Sequence, residues 1–568
     1  MHDLQNSDSS SKRSATRTPK FIFVSGGVLS GLGKGIAAAS IGHLLSKQYT
    51  VVPIKCDGYL NTDPGTMNPA EHGEVFVLND GSEVDMDFGH YERFMGTACD
   101  KNQTLTMGKV FKAIEQKERR GDYLGKTVQF IPHVTDFIKE HFKQVARDRS
   151  ADIVFVEIGG TIGDFENELF VEAARQLSLE LPSEDSMFIH LTYVPFLDHV
   201  KEQKSKPTQM SVRQLLERGI RPDIIIARCR NELEPNIKKK IALFCNVREE
   251  AVISGFDVDT VYSIPQNFAQ QGILQLISKK LSLPIVSQED SWPTLVENLR
   301  HPTQEIRIAL AGKYLALEDS YASVIEAVKH CAAQTKTKIT LKFIDTTNLT
   351  NEHVAAALAD VHGVIVPGGF GTRGIEGKIA IITYCRENKI PYLGLCLGLQ
   401  LAVIEFARNV CGLAGATSQE FDANSSTQVI AYLPGQNDDL AKGGTMRLGM
   451  YEAVLLPSTH VSAVYDDASR VQERHRHRYE VNPKYHDMLQ SHGLTFAGMS
   501  PDGTLVEFIS LESHPYFVAT QAHPELISKL EKPAPLFFGL VKAAIERMKK
   551  SSSDLQDMSI LKVAVHKA

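Results

Sequence analysis

The stretch Pro391-Tyr-Leu-Gly-Leu-Cys-Leu-Gly-Leu-Gln400 constrains the fold of this chain more than any other. Its apolar residues predict a buried strand that ends at Cys396, and residues 399–408 predict a helix that follows directly. Gly394 and Gly398 allow a sharp backbone turn between the two. Because nucleophiles occupy such turns, and a helix N-terminus lowers the pKa of a thiol, we predict that Cys396 is a nucleophile. A buried core cysteine beside two turn glycines is the alternative.

Composition places the chain among soluble, multidomain proteins. At 568 residues it is too long for one hydrophobic core. A net charge of -7 gives no reason to expect nucleic acid as a partner. The eight cysteines include no C-x-x-C pair and no zinc spacing, a pattern that is typical of a protein located in the reducing cytosol. No apolar run reaches the length of a membrane span, and the polar residues 1–19 predict a disordered tail instead of a secretory signal.

A glycine-rich loop near the N-terminus predicts a phosphate site. The apolar run Phe21-Ile-Phe-Val24 predicts a central parallel strand, residues 25–35 read Ser-Gly-Gly-Val-Leu-Ser-Gly-Leu-Gly-Lys-Gly, and residues 36–45 predict a helix. Backbone N–H groups and the helix N-terminus would face an anion while Lys34 reaches its terminal phosphates. Gly35 replaces the Ser or Thr of a standard Walker A loop, so a Mg²⁺ ligand must come from elsewhere. A plain turn is the alternative.

Two acidic segments offer such ligands. In residues 81–87, acidic and apolar residues alternate, so that Glu83, Asp85 and Asp87 would share one face of a strand. In the second segment, Glu157 ends an apolar run. Solvated surface acids are the alternative. The lysine-rich segment 201–209 is open to two interpretations, an ordinary surface loop or a second anion site.

The second half of the chain predicts a separate α/β unit. Residues 287–304 predict a linker, a strand begins at Ile306, and residues 411–446 predict surface excursions. A thiol that attacks an amide needs a base, an acid that orients the base, and an oxyanion hole. His523 and Glu525 are the candidates for base and acid, and the turn Gly368–Gly371 with Leu397 offers oxyanion N–H groups. The last helix is predicted near residues 534–548, before a polar tail.

Three motifs resemble class I glutamine amidotransferases: Pro-Gly-Gly-Phe-Gly at 367–371, Gly394-x-Cys396-x-Gly398-x-Gln400, and His523-Pro-Glu525. Further motifs narrow the resemblance to the CTP synthase family. They are the loop at 25–35, His72-Gly-Glu-Val-Phe-Val, Gly89-His-Tyr-Glu-Arg-Phe, Glu118-Arg-Arg-Gly-Asp-Tyr-Leu-Gly, Val156-Glu-Ile-Gly-Gly-Thr, Lys206-Pro-Thr-Gln and Arg474-His-Arg-His-Arg-Tyr-Glu. The resemblance runs from about residue 21 to residue 549.

The resemblance implies an α/β fold of two doubly wound domains with mainly parallel sheets. A P-loop-like synthetase (amidoligase) domain that binds ATP and UTP would span 20–286, and a class I glutaminase domain would span 305–549. The tail at 1–19, the linker at 287–304 and a polar tail at 550–568 would complete the chain.

It also implies a carbon–nitrogen ligase that takes its nitrogen from glutamine. Such an enzyme aminates UTP to CTP through 4-phosphorylated UTP, with ATP as co-substrate and Mg²⁺ as cofactor, and channels ammonia between its domains. This is the last step of de novo CTP synthesis. The family further implies activation by GTP, inhibition by CTP, a homodimer or homotetramer that in some members forms filaments, a cytoplasmic location, and no nucleic-acid or membrane partner.

Site residues follow from the same motifs. Cys396, His523 and Glu525 would be catalytic, His72 would gate ammonia, and Asp87 and Glu157 would hold the metal. ATP and phosphate would be bound by Ser30, Gly31, Leu32, Gly33, Lys34, Gly35, Lys55 and Asp87. UTP or CTP would be bound by Ser30, Asp164, Phe165, Glu166, Lys204, Ser205, Lys206, Pro207, Thr208, Gln209 and Lys240. Glutamine would be bound by Gly369, Leu397, Gly398, Leu399, Gln400, Glu420 and Arg478.

Two rival hypotheses remain. One is a structural protein that keeps a nucleotide fold in order to polymerise, and the other is an amidotransferase with a different acceptor. A polymer with vestigial sites has no physical reason to keep Lys34, Asp87, Glu157, Cys396 and His523 together, which argues against the first.

Overall fold

A computed structural model describes residues 18–68, 73–286, 290–313, 318–433 and 446–565. Two predictions therefore lie outside the described residues: the ammonia gate at His72, and all but the last two residues of the disordered tail at 1–19.

The strands, in chain order, are β1 (Lys20–Gly26), β2 (Val51–Asp57), β3 (Phe76–Val77), β4 (Glu83–Val84), β5 (Thr104–Thr106), β6 (Ile153–Ile158), β7 (Ser186–Tyr193), β8 (Phe196–Leu197), β9 (Glu202–Gln203), β10 (Ile224–Cys229), β11 (Val252–Phe256), β12 (Gln304–Gly312), β13 (Thr337–Asp345), β14 (Gly363–Val366), β15 (Tyr392–Leu395), β16 (Thr417–Ser418), β17 (Gln428–Tyr432), β18 (Arg447–Leu455), β19 (Arg470–His477), β20 (Tyr479–Val481), β21 (Thr495–Met499), β22 (Val506–Ser510) and β23 (Phe517–Thr520).

The α-helices are α1 (Lys34–Ser46), α2 (Asp87–Met95), α3 (Met107–Arg120), α4 (Thr135–Asp148), α5 (Glu168–Glu180), α6 (Lys206–Glu217), α7 (Pro235–Phe244), α8 (Ile264–Gln270), α9 (Ile273–Leu281), α10 (Trp292–Arg300), α11 (Ala322–Thr335), α12 (Asn351–Leu358), α13 (Ile375–Glu387), α14 (Leu397–Asn409), α15 (His460–Val464), α16 (His486–Ser491) and α17 (Pro535–Val565). Short 3₁₀ turns occupy Lys101–Gln103, Phe165–Asn167, Glu249–Ala251, Val261–Ser263, Glu318–Tyr321, Pro483–Tyr485 and Pro524–Ile527, and a π turn occupies Phe130–Val134.

The chain forms two compact units. The first comprises Met1–Asn61, Asn102–Val258 and Pro265–Ser287, and the second comprises Thr62–Lys101, Asp259–Ile264 and Gln288–Ala568. These units do not follow the predicted boundaries, because residues 62–101 and 259–264 pack with the second half of the chain.

The first unit is built on a seven-stranded parallel sheet in the order β11-β10-β7-β1-β6-β2-β5. Its central strands are continuous apolar runs, as expected when helices cover both faces of a sheet. Strand β1 lies between β6 and β7, in a register that pairs Val24 with Glu157 and Ser25 with His190. The loop that follows β1 is therefore flanked by the carboxyl ends of two neighbouring strands.

The second unit is built on a nine-stranded sheet in the order β13-β12-β14-β15-β23-β22-β21-β18-β19. The strands from β13 to β23 run parallel, and the remaining pairs are antiparallel. Strands β15 and β23 pair so that Leu395 lies opposite Thr520. The segments that carry Cys396 and His523 thus leave the same edge of the sheet. The predicted α/β class with mainly parallel sheets is confirmed. Three smaller sheets, β16-β17-β20, β3-β4 and β8-β9, accompany the two large ones.

Four local predictions were wrong. The predicted linker contains helix α10, whose Trp292 and Val296 are buried in the core of the second unit. Asp87 begins helix α2, so it does not share a strand face with Glu83. The predicted excursion at 411–446 contains β16 and β17, with Val429 and Ile430 fully buried, although residues 434–445 lie outside the described part. The last helix continues to Val565, well past the predicted end at 548 and into the predicted polar tail.

Burial of one ion pair in the second unit makes a testable contribution to its stability. Arg386 of α13 donates to both oxygens of Glu405 of α14, at 3.0 and 3.1 Å from Nε, and the Glu405 side chain is fully buried. We expect Arg386→Met to destabilise this unit by about 3–5 kcal/mol, because it leaves a buried carboxylate without its cation. Denaturant unfolding followed by fluorescence would measure the loss. The control Arg470→Met removes the solvent-exposed pair with Glu452 and should cost no more than about 1 kcal/mol. Equal losses in the two variants would contradict the prediction.

Candidate active site

Cys396 lies in a strained turn between β15 and α14. Its φ of 50° and ψ of -99° are rarely adopted by residues other than glycine. The turn is held by the Cys396 N–H, which donates to the Thr520 carbonyl at 2.7 Å. A β-carbon placed on Gly398 would lie 2.3 Å from the carbonyl oxygen of Val366, so only glycine fits there. The predicted strand-to-helix turn is confirmed.

His523 and Glu525 face this cysteine. The Nδ1 of His523 lies 2.7 Å from Oε1 of Glu525, and its ring is hydrogen-bonded to Cys396. Burial acts to lower the pKa of His523, but the interactions with the Glu525 carboxylate and with Cys396 outweigh it and raise that pKa well above its usual value. A β-carbon on Gly368 would lie 2.8 Å from Cε1 of His523, so the predicted oxyanion turn packs against the same group. The structure thus brings the predicted nucleophile, base, acid and oxyanion turn together.

Gln521 is a contact of the cysteine that sequence reasoning missed. Its Nε2 lies 3.5 Å from the Sγ of Cys396, and its Oε1 accepts from Nε2 of Gln400 at 3.3 Å. Because alternate residues of an extended segment share a face, the position two residues before His523 was the available signal.

A cavity of about 540 Å³ opens beside Cys396. Four of the predicted glutamine-binding residues line it: Gly369, Gln400, Glu420 and Arg478. The other three, Leu397, Gly398 and Leu399, form the buried first turn of α14. Oε1 of Glu420 accepts from the N–H of Gly371 at 2.7 Å, while burial raises the pKa of this carboxyl. The stacked rings of Tyr432 and Tyr479, 4.6 Å apart, form another part of the wall.

Glu74 lines the same cavity and was also missed. Its Oε2 accepts from the backbone N–H of Ser323, in the first turn of α11, at 3.0 Å. Burial raises the pKa of Glu74 to about 7. A carboxyl group whose pKa is close to neutral pH therefore lies in the wall of the cavity beside the thiol.

The residues of the predicted phosphate site lie within the first unit. Lys34 is buried, its Nζ donates to the carbonyl of Gly160 at 2.7 Å, and its side chain lies across Gly26. The Nζ of Lys55 lies 3.0 Å from Oε1 of Glu157 and 3.9 Å from Oδ1 of Asp57. Asp57 ends β2 and is a fourth charged group here, the one that sequence reasoning did not select.

The predicted nucleotide-binding residues follow the carboxyl ends of adjacent strands, the usual ligand-binding edge of such sheets. Ser30, Gly31 and Gly33 are exposed in the loop after β1, where Leu32 and Gly35 are buried. Asp164, Phe165 and Glu166 are exposed after β6, and the Oδ2 of Asp164 accepts from the N–H of Thr161 at 2.9 Å.

The segment after β7 leads into helix α6. Lys204 pairs with Glu202, Ser205 precedes the helix, and Lys206, Pro207, Thr208 and Gln209 form its first turn. The Oγ1 of Thr208 donates to the carbonyl of Tyr193 at 3.1 Å, which fixes this turn to β7. Lys240 is exposed on α7, the helix that follows β10.

The predicted metal ligands belong to different units. Glu157 lies in the first unit beside Lys55, whereas Asp87 begins helix α2 of the second. Glu83, also considered for this role, is 2.8 Å from Arg476. Residues 18–68, 73–286, 290–313, 318–433 and 446–565 contain no cluster of three or more acidic, histidine or cysteine side chains suited to a metal. Mg²⁺ at nucleotides commonly uses one or two carboxylates together with phosphate oxygens and water, so Glu157 fits such a role.

The turn cysteine, its histidine–glutamate pair and the adjoining cavity define the second unit as a class I glutamine amidotransferase domain. Family models agree: residues 20–283 match the CTP synthase N-terminus, and residues 316–543 match glutamine amidotransferase class I. The CTP synthase of Caldanaerobacter subterraneus subsp. tengcongensis is 51% identical over 93% of this chain and 98% of its own length. That of Methanocaldococcus jannaschii is 49% identical over 93% and 98%. The chain belongs to the CTP synthase family.

Among solved structures, the glutaminase domain of Trypanosoma brucei CTPS with bound acivicin is 37% identical, covering 42% of this chain and 94% of that domain, with a TM-score of 0.41. None of the described helices is both long enough and apolar enough to cross a membrane.

The role of Glu525 can be tested through the pKa of His523. Glu525→Gln keeps the shape of the side chain but removes its charge, so we expect the pKa of His523 to fall and glutamine hydrolysis to slow at least about tenfold. An NMR titration of the imidazole and a steady-state glutaminase assay would measure the two effects. The control Glu512→Gln alters the more exposed pair with His460 and should change neither. An unaltered pKa of His523 in Glu525→Gln would refute the role given to this carboxylate.

Proposed function

We propose that this chain converts UTP to CTP, using ATP and the amide nitrogen of glutamine. One observation carries the proposal: a cysteine–histidine–glutamate site beside a cavity, and a lysine-bearing phosphate loop, occur in the same chain. Curated CTP synthases that are about half identical over nearly their whole length support the same conclusion.

In the glutaminase unit, Cys396 is the proposed nucleophile. Its sulfur attacks the side-chain carbonyl carbon of glutamine, and the resulting oxyanion accepts hydrogen bonds from the backbone N–H groups of Gly369 and Leu397. His523 takes the thiol proton and returns it to the departing ammonia. Water then attacks the thioester, releasing glutamate and restoring the thiol. Glu525 holds the imidazole in position and stabilises its charged form.

The remaining cavity residues hold glutamine in this proposal. Arg478 pairs with the substrate carboxylate and Glu420 with its ammonium, since both side chains line the cavity. Gln400, with Gly398 and Leu399, shapes the floor below the amide.

In the synthetase unit, ATP phosphorylates O4 of UTP, ammonia adds to C4, and phosphate departs to leave CTP. Ser30 to Gly35, Lys55 and Asp87 bind ATP and the transferring phosphate. Ser30, Asp164 to Glu166, Lys204 to Gln209 and Lys240 bind UTP, or CTP as inhibitor. Glu157, beside Lys55, and Asp87, at the start of α2, would hold Mg²⁺, which would neutralise charge on the phosphates. Ammonia released at Cys396 is carried to this unit past a gate at His72.

Regulation and assembly follow the family in this proposal. GTP activates the enzyme, the subunits form a homodimer or homotetramer with the capacity to form filaments, and the enzyme acts in the cytoplasm. Incubation with UTP, ATP, Mg²⁺ and glutamine, followed by chromatography, tests the reaction itself. Glutamine consumption without CTP would instead favour a different acceptor, and no reaction at all would favour a structural protein.

Separating the two half-reactions tests the role of the thiol. Cys396→Ala should abolish CTP synthesis from glutamine but retain synthesis from ammonium chloride, because only the nitrogen supply depends on the sulfur. The matched control Cys411→Ala removes a partly buried thiol elsewhere and should retain both activities. If Cys396→Ala also lost the ammonia-dependent reaction, the division of labour between the units would be wrong.

Lys34 should matter for both nitrogen sources. Lys34→Ala removes the buried ammonium at the phosphate loop, so we expect synthesis from glutamine and from ammonia to fall about a hundredfold or more. Lys47→Ala, at the other end of helix α1, serves as the control and should stay near the wild-type rate. Measurable synthesis from ammonia at the wild-type rate by Lys34→Ala would exclude Lys34 from phosphoryl transfer.

A further inference from the structure

His190 is a fully buried polar residue that the proposed reaction does not use. It lies on β7 directly opposite Ser25 of β1. Its Nδ1 is 2.9 Å from the Oγ of Ser25, and its Nε2 is 2.7 Å from the Oγ of Ser211 on helix α6. Both ring nitrogens are therefore hydrogen-bonded, one to a strand and the other to a helix.

Each serine adjoins one of the two predicted nucleotide-binding segments. Ser25 directly precedes Gly26 and Gly27, which open the phosphate loop. Ser211 follows two residues after Gln209, the last of the residues Lys206 to Gln209 that are proposed to bind UTP. The imidazole thus bridges the base of the phosphate loop and the start of the UTP-binding helix.

Direct packing reinforces the bridge. A β-carbon placed on Gly27 would lie 1.7 Å from the Oγ of Ser211, so the backbone of the loop rests against the serine that His190 holds. The N–H of Gly27 also donates to the carbonyl of Leu191, the residue after His190, at 3.0 Å. If α6 shifts by a fraction of an ångström, the loop must move with it, because a close-packed interior has no empty space to absorb the shift.

The protonation state of His190 suits this role. Burial, followed by the charge of nearby Lys34, lowers the pKa of His190 to about 3, so the imidazole is neutral. A neutral imidazole has one N–H and one lone pair, so one serine accepts a hydrogen bond and the other donates one. A cation here would repel Lys34, and an apolar residue would leave two buried hydroxyls without this partner.

We propose that His190 is a positioning residue that couples the two nucleotide sites of the first unit, so that occupation of the phosphate loop by ATP strengthens the binding of UTP and the reverse. The inference rests on the proposed function, because it takes the segment at Lys206 to Gln209 as the UTP site. The coupling is measured as the factor by which bound ATP changes the affinity for UTP. By thermodynamic linkage, bound UTP changes the affinity for ATP by the same factor.

The alternative is that His190 has a purely structural role. The ratio of UTP affinities with and without bound ATP distinguishes the two roles. Loss of a structural residue would lower stability or weaken both ligands while leaving their mutual effect unchanged. Loss of a coupling residue would reduce the mutual effect even where each ligand still binds.

The test measures UTP binding to the full chain by calorimetry, with and without a non-hydrolysable ATP analogue. The wild type should bind UTP more tightly in the presence of the analogue. In His190→Ala and in Ser211→Ala that enhancement should shrink by about two- to tenfold, the effect of one or two lost hydrogen bonds. In His190→Asn the side-chain amide takes the place of Nδ1, which faces Ser25. In His190→Gln the amide takes the place of Nε2, which faces Ser211. Each retains half of the bridge, so neither should restore the full enhancement.

Thr192→Val is the matched control. Its Oγ1 donates to Oγ1 of Thr208 at 3.2 Å, so it also joins β7 to α6, and this hydrogen bond does not involve the phosphate loop. We expect this variant to keep the wild-type enhancement even if its affinity for UTP changes. Should His190→Ala fail to fold, as judged by its melting temperature, Ser211→Ala decides the question.

The outcomes separate the inference from the function on which it rests. A wild type that forms CTP but binds UTP equally with and without the analogue overturns the inference alone. An enhancement retained in both His190→Ala and Ser211→Ala also overturns it, as does one lost equally in Thr192→Val. A wild type that forms no CTP overturns the proposed function.

Discussion

The glutaminase site depends on one steric constraint, the contact between Gly398 and the carbonyl of Val366. A β-carbon at Gly398 would lie 2.3 Å from that oxygen, a distance no side chain tolerates. Because residue 398 has no side chain, helix α14 can begin immediately after β15 and against β14. In the sharp turn between the two elements, Cys396 adopts a φ of 50°. The strain at Cys396 is sustained by the surrounding packing, as is common for residues that must present a reactive group.

The first unit also has a glycine in close contact with a neighbouring element at its proposed site, although the proposed chemistry there is different. Gly27 packs against Ser211 as Gly398 packs against Val366, and in both places a loop leaves the carboxyl end of a central parallel strand and enters a helix. Neighbouring parallel strands end at the same edge, so residues distant in sequence meet there. In the first unit these are Lys34, Lys55 and Glu157, and in the second they are Cys396 and His523. The register of the sheets, more than any local motif, assembles both sites.

Local patterns were sufficient to predict the elements that carry the sites. The apolar run before Cys396, its two glycines and the helix after it can all be recognised without knowledge of the rest of the chain, and so can the phosphate loop. Long-range pairings could not be read in this way. Glu83 appeared to be a candidate metal ligand, but it pairs with Arg476, almost four hundred residues away. The apparent linker contains Trp292, whose indole N–H donates to the carbonyl of Tyr262 at 2.7 Å, a partner that no local pattern reveals.

Environment, and not residue type, decides which histidine can act as the base. His475 and His477 are buried beside the same site, and His477 lines the cavity together with His523. Burial lowers the pKa of both well below the usual value, and the neighbouring Arg447 lowers it further. Each has a carboxylate nearby, Glu507 at 3.6 Å from His475 and Glu480 at 3.5 Å from His477. Both carboxylates also pair with Arg447, so part of their negative charge is already compensated. His523 differs from both because its carboxylate, Glu525, lies closer, at 2.7 Å, and because its ring is also hydrogen-bonded to the thiol of Cys396. Those two neighbours let a buried imidazole carry a proton, as the proposed transfer from sulfur to ammonia requires.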